Sequence, residues 1–312
     1  MKALVYTGPN TLQLREVPPP QAPSVEVAFC GICGSDMHAW AGHDDRRPAP
    51  LVLGHEIAGT YQGRRVTVNP LVTCGVCTYC RSGRDNLCPD RQILSMPPRP
   101  GGFAEAVAVP ERNLIDVPDD VSLEAAALAE PLACGWHAVR LAGRLLDLGR
   151  AECLVLGGGA IGAGAALALH AHGAGRIMLV EPHAERRARL ADLPAKLSDA
   201  AVEADLVIDG VGIDATRAAA FAHVRPGGVI AHIGLGGGTG GFDPRRATLQ
   251  EITFFGTYTY TAADFAATAA AIFDGRLPVE GLYEVRALDD GAQAFTDLAE
   301  RRVATPKVLL RP

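Results

Sequence analysis

The 312-residue chain lacks any surplus of positive charge: 29 Lys and Arg stand against 35 Asp and Glu, giving a net charge of -6 and a pI near 5.8. A nucleic-acid partner is therefore not expected, because binding a polyanion requires a basic face that displaces counterions. Local basic pairs such as Arg186 and Arg187 read as solvated helix faces. Nothing at the start resembles an export signal, since MKALVY carries one charge and is cut short by Gly8, Pro9 and Asn10. The expected location is the cytoplasm. No membrane association is expected either. The run from Cys153 to Leu169 has no polar residue, but five of its positions are glycine, which fits a strand, a tight turn and a helix start better than a span. Internal repeats and low-complexity tracts are absent. Without a secretion signal, eight cysteines point to metal binding or reactivity before disulfides.

What is present is the composition of an ordinary globular protein, 48% hydrophobic and 21% charged, at a length that favours two domains. The first 120 residues are punctuated by Gly and Pro and carry short β-branched runs, SVEVAF, RRVTVNP and EAVAVP. These predict irregular β structure with long loops. From Ser122, a plausible N-cap, SLEAAALAEPLACGWHAVRLAG is rich in helix formers. Apolar strands then alternate with helical stretches, at CLVLG, RIMLVE, DLVIDGVG and GGVIAHIG. That alternation predicts an α/β unit whose parallel sheet is covered on both faces. A helical stretch, AADFAATAAAIFDG, and a mixed tail ending in PKVLL follow Thr259.

In LVLGGGAIGAG, Gly157, Gly159 and Gly162 have G-x-G-x-x-G spacing between a predicted strand and a predicted helix, and Glu181 stands nineteen residues past Gly162, at the end of the next strand. Alone the glycine pattern is weak. With the acid it reads as a dinucleotide site: the glycines allow close approach of a pyrophosphate to a helix N-terminus, and the carboxylate can accept both hydroxyls of an adenosine ribose. Gly157, Gly159, Ala160, Ile161, Gly162, Glu181 and Arg186 are the cofactor-binding candidates. A carboxylate repels a 2'-phosphate, which favours NAD over NADP, although Arg186 and Arg187 lie nearby.

TCGVCTYCRSGRDNLC places Cys74, Cys77, Cys80 and Cys88 in C-x2-C-x2-C-x7-C spacing. Four thiolates so placed can close a tetrahedral shell around a structural zinc. A ferredoxin-like iron cluster, a disulfide pair and a zinc ribbon are the competing readings. A second cluster is more open. FCGICGSDMH supplies Cys33, Ser35, Asp36 and His38, and seventeen residues past His38 VLGHEIAG supplies His55 and Glu56. A Cys, a His and carboxylates on separate loops form the kind of zinc site that leaves one position for water or substrate. Cys30, at the end of an apolar strand, reads as a buried small hydrophobe.

In order along the chain, CGICGSD with GHE, the CGVCTYC quartet, GGFAEAVAVP, EPLACGWHAV and LGGGAIG resemble the zinc-dependent medium-chain dehydrogenases and reductases over essentially the whole chain. AEPLA is similar to the polyol, sorbitol and threonine dehydrogenase branch. The resemblance implies a GroES-like distorted β catalytic domain at 1–131 with 259–312 returning to it, and a Rossmann domain at 132–258. It implies Cys33 and His55 as catalytic zinc ligands, with Glu56 and Glu130 sharing the remaining coordination, and Asp36 orienting His55. It further implies that Ser35 takes the alcohol proton and passes it through the cofactor ribose towards His38. The implied substrate is a small secondary alcohol or polyol and the implied assembly a homodimer or homotetramer through the cofactor domains, with EITFFGTY as a candidate edge strand.

Two segments depart from the family pattern. The hairpin after GHEIAGT is short, with Gly63, Arg64, Arg65 and Val66 in place of the common Gly-Asp-Arg-Val, and Ala191 to Asp205 is short for a strand, helix and strand. Trp40 and Phe103 read equally as pocket walls or as packing. The competing functions are a zinc-stabilised NAD sensor without turnover and a metal-free quinone or enone reductase. The set Cys33, Ser35, Asp36, His38, His55 and Glu130 argues against both, since a sensor needs no proton exit and the reductases lack the ligands.

Overall fold

Period-two burial builds the first sheet: Val25 and Val27 point into a core while Glu26 between them is exposed. In the computed structural model, which describes all 312 residues, this strand, Val25–Gly31, is central to a sheet. The order is Leu114–Asp116, Arg64–Val68, Glu56–Tyr61, Val25–Gly31, Lys307–Arg311 and Tyr283–Ala287, with Ala106–Val107 added beside Val25. Every pairing is antiparallel except that of the last two strands. Its core joins Leu53, Ile57, Phe103, Phe295, Val308 and Leu310. The shortened hairpin is closed by two residues, Gln62 and Gly63, at φ 49° and 80° between paired Tyr61 and Arg64. Both turn residues are left-handed, which matches the twist of the flanking strands.

The second sheet is parallel throughout, in the order Lys196–Ser198, Ile177–Val180, Cys153–Leu156, Ala204–Asp209, Val224–His232 and Thr253–Gly256. Helices Ala129–Ala142, Ala160–Ala171 and Ala262–Phe273 bury one face and Asp214–His223 covers part of the other. This is the doubly wound arrangement that binds ligands beyond the carboxyl ends of its strands. Thr253–Gly256, within the segment expected to be an edge strand, is outermost. The shortened crossover has no helix: residues 199–203 pass directly from Ser198 to Ala204. A groove of about 460 Å3 bordered by Met178, Lys196 and Val202 lies there.

Ser122 caps helix Leu123–Ala127 by accepting the Ala125 N–H at 3.1 Å. The predicted single helix breaks at Leu128, and Pro131 then falls in the first turn of Ala129–Ala142, the one place where a missing N–H costs nothing. Helix Ala262–Phe273 packs against Ala129–Ala142 within the core of the parallel sheet, whereas Tyr283–Ala287 and Lys307–Arg311 carry the chain back to the first sheet.

A buried carboxylate ties these two helices. Asp264 accepts from His137 Nδ1 at 2.6 Å, from Arg140 through both oxygens and from Thr261 Oγ1 at 2.7 Å. Burial opposes ionisation, but the bonds from His137, Arg140 and Thr261 hold its carboxyl below the usual range. A folded pKa below the unfolded value gives stability that is present above about pH 4 and lost as pH falls towards the folded value. Asp264→Asn is expected to lower unfolding free energy at pH 7 by about 3 kcal/mol, with the gap to wild type narrowing below pH 4. Urea unfolding at pH 7 and pH 3 checks both; an equal gap at the two values would refute the assignment.

Candidate active site

One carboxylate joins the two loops that carry the candidate metal-ligating residues Cys33 and His55. Cys33 follows strand Val25–Gly31 and starts helix Gly34–Trp40, where its N–H donates to Asp36 Oδ2 at 3.0 Å. The other oxygen of Asp36 accepts the N–H of Gly54 at 3.1 Å, just before His55. Asp36 is fully buried. Burial opposes its charge, but His55 and Arg47 hold its carboxyl low. It also lies 3.5 Å from His55 Nδ1, the nitrogen that Ser95 Oγ approaches to 3.3 Å. Burial disfavours charge on His55, yet Asp36 and Cys33 push the imidazole well above its ordinary value.

Ligand atoms of Cys33, His55 and Glu56 lie within 4.8 Å of one another. Glu56 is wholly buried; its Oε1 accepts from Lys307 Nζ at 2.6 Å, while its Oε2 has no hydrogen-bond partner. Lys307 also donates to the Ile32 carbonyl at 2.9 Å, and despite its burial Glu56 and Cys33 keep its ammonium pKa raised. An orphaned carboxylate oxygen beside a thiol and an imidazole fits a divalent cation, and the soft and borderline donors fit zinc. Glu130, at the start of helix Ala129–Ala142, is not among the converging atoms: its Oε1 accepts from the Tyr260 hydroxyl at 2.6 Å, and burial raises its pKa. Ser35 Oγ accepts from Arg47 Nη2 at 3.4 Å, and His38 is exposed. Trp40 and Phe103 both pack on Phe295, and Cys30 lies in the same core.

Cys74, Cys77, Cys80 and Cys88 also converge within 4.8 Å, with sulfur separations of 3.5 to 3.9 Å and no disulfide. Four sulfurs about 2.3 Å from one zinc stand about 3.8 Å apart in a tetrahedron. The N–H groups of Val76 and Cys77 hold the Cys74 thiol down at about 6, while burial pushes Cys80 up to about 12 and raises Cys88; a metal requires the anionic form of each.

At the end of strand Ile177–Val180, Glu181 accepts the N–H of Gly158 at 2.9 Å through Oε2 and that of His183 at 2.8 Å through Oε1. The acid is thereby fixed to the glycine turn. Gly162 is obligatory there, because a Cβ would stand 1.8 Å from the Gly157 carbonyl. Ala160 and Ile161 form the first turn of helix Ala160–Ala171, with Gly159 at its N-cap. Arg186 lies 3.8 Å from Glu181 and reaches the Val303 carbonyl at 3.3 Å.

Two family descriptions match the chain: Alcohol dehydrogenase GroES-like domain over residues 19–119 and Zinc-binding dehydrogenase over 160–274. The L-galactonate-5-dehydrogenase of Escherichia coli K12 is 32% identical over 90% of this chain and 89% of its own. The chain belongs to the zinc-dependent medium-chain dehydrogenases. Within that family it is similar to the polyol branch, as in a probable D-xylulose reductase A of Neosartorya fischeri, 31% identical over 91% of this chain and 88% of the relative. The structure of acetophenone reductase from Geotrichum candidum, solved with NAD, superposes at a TM-score of 0.87 with 27% identity, over 100% of this chain and 97% of that one.

Sequence reasoning missed Lys307, Tyr260, Arg47 and Ser95. One signal was available: Lys307 is one of three lysines in a chain that otherwise uses arginine, and it sits at an apolar strand. Gly31 is a further requirement of the site, because a Cβ there would fall 2.0 Å from Glu56 Oε2. Gly31→Ala is expected to displace that oxygen and cut bound zinc from about two ions per chain to about one, the quartet's ion remaining. Metal analysis of the purified variant decides this; an unchanged zinc content would remove Glu56 from the ligand set.

Proposed function

We propose that this chain transfers hydride between a secondary alcohol or polyol and NAD at a zinc site held by Cys33, His55 and Glu56. The observation that carries the reading is the convergence of those three side chains around a buried carboxylate oxygen with no protein partner. Glu130, held by Tyr260, is the reserve carboxylate. Bound zinc supplies Lewis-acid polarisation of the substrate hydroxyl. Ser35 takes the hydroxyl proton while passing its own hydrogen through the cofactor ribose towards exposed His38 and solvent. Glu181 receives the adenosine ribose, while the turn at Gly157 to Gly162 and the start of helix Ala160–Ala171 receive the pyrophosphate. The commitment of Glu181 to Gly158, and of Arg186 to the Val303 carbonyl, supports NAD over NADP. Cys74, Cys77, Cys80 and Cys88 hold a second zinc that does no chemistry, since its shell is closed.

The antiparallel sheet is the catalytic side and the parallel sheet the cofactor side, with helix Ala262–Phe273 assigned to the latter by its packing. No helix is long and apolar enough to cross a membrane, and a cytoplasmic enzyme remains the reading. The open edge at Thr253–Gly256, flanked by exposed Leu249, supports a homo-oligomer formed through the cofactor sides.

The deciding experiment follows reduced-nicotinamide absorbance with sorbitol, xylitol and 2,3-butanediol, each with NAD and with NADP. Turnover with NAD is expected, and silence on every alcohol would favour a binding protein without turnover. Cys33→Ser should abolish oxidation and remove about one of two zinc ions, leaving the melting temperature and NAD binding near wild type. Full activity in that variant would end the catalytic-zinc assignment.

A further inference from the structure

We propose that Arg47 is a positioning residue for alcohol oxidation, acting through the hydroxyl of Ser35. This rests on the reading that Ser35 accepts the substrate proton. Arg46 and Arg47 are adjacent in sequence, yet only Arg47 turns inward and is buried. Each of its three nitrogens has a separate partner. Nε donates to the Ser95 carbonyl at 3.0 Å, Nη1 to Asp44 Oδ2 at 2.6 Å and Nη2 to Ser35 Oγ at 3.4 Å.

A guanidinium is a rigid planar fork, so two anchored nitrogens fix the direction of the third. The anchors here are a backbone carbonyl of fully buried Ser95 and a carboxylate that is itself inward-facing. A serine hydroxyl has one hydrogen and two acceptor lone pairs. With one lone pair taken by Arg47, the Ser35 hydrogen is turned away from the guanidinium and one lone pair is left to accept a proton. As Oγ takes the substrate proton it hands its own hydrogen on towards the cofactor ribose, so the hydroxyl stays neutral and Arg47 sets the direction of the transfer. Neither effect needs Arg47 to touch the substrate, and its three existing bonds leave little of it free to do so.

A double-mutant cycle on the zinc-loaded enzyme tests this, with Arg47→Lys, Ser35→Ala and the pair assayed on whichever of sorbitol, xylitol or 2,3-butanediol the wild type oxidises. Lysine keeps the charge and loses the fork. Arg47→Lys is expected to lower kcat about tenfold to a hundredfold, with KM for NAD and zinc content near wild type. In the Ser35→Ala background the same change should cost nothing further. Added guanidinium ion should restore part of the activity of Arg47→Ala while leaving Arg47→Ala/Ser35→Ala unaffected. An equal loss in both backgrounds, or loss of zinc or of fold in Arg47→Lys, would overturn the proposal by placing the role of Arg47 elsewhere. Wild-type kcat in Ser35→Ala would instead sink the serine reading on which it stands.

Discussion

A buried carboxylate that needs two different partners organises this molecule. An isolated charge in the core costs far more than any single contact returns, so the wholly buried Glu56 requires partners. Lys307 satisfies one oxygen, and the other faces Cys33 and His55. Since Lys307 lies 251 residues further along the chain, the requirement draws the end of the protein back over its beginning. Strand Lys307–Arg311 must then pair with Val25–Gly31, and Tyr283–Ala287 with it. Gly31 follows from the same constraint, as no side chain fits where Glu56 passes. The topology of the first sheet and the composition of the metal site are thus two consequences of one electrostatic need.

What was legible in the sequence was chemistry carried by local spacing. The quartet, the adjacent His55 and Glu56, and the glycine turn with Glu181 are each set within short stretches, so residue order alone proposes them. Lys307, Tyr260 and Arg47 were hidden because their roles come from contacts between distant segments: Tyr260 meets Glu130 across 130 residues, and Arg47 meets Ser95 across 48. Glu130 was visible as an acid in AEPLA, but its turn towards Tyr260 is set by the loop before helix Ala262–Phe273. Trp40 and Phe103 could be read two ways from sequence; both pack on Phe295, with Phe103 fully buried and Trp40 half-buried. The helix break at Leu128 was concealed for a different reason, since Pro131 is compatible with a continuing pattern of helix formers until its place in a first turn is seen.

The two shortened segments are tolerated because of where they lie. The hairpin at Gln62 and Gly63 closes the far end of strand Glu56–Tyr61, whose first residue is the candidate ligand. Residues 199–203 cross beneath the parallel sheet near the starts of its strands, where the groove is bordered by Cys153, Ile177 and Ala204. Cofactor chemistry in such a sheet occupies the opposite end of the strands. Removing the crossover helix therefore takes cover from one face while Ser198, where the short segment begins, still accepts the Glu181 N–H at 2.9 Å.

Besides the buried pair of Glu56 and Lys307, the site is held by charges bonded to backbone. Asp36 accepts from Cys33 and Gly54 N–H groups, Lys307 donates to Ile32, Arg47 to Ser95, and Glu181 accepts from Gly158 and His183. Such charge-assisted bonds are short and directional. They fix loops whose sequences have no regular structure of their own, whereas the exposed ion pairs of this protein, such as Arg64 with Glu111, contribute little under screening. The loops of the candidate site can therefore be irregular and still be preorganised: geometry that a helix or strand would impose through its own ladder is imposed here by a few buried charges, each reaching a peptide group on a different segment.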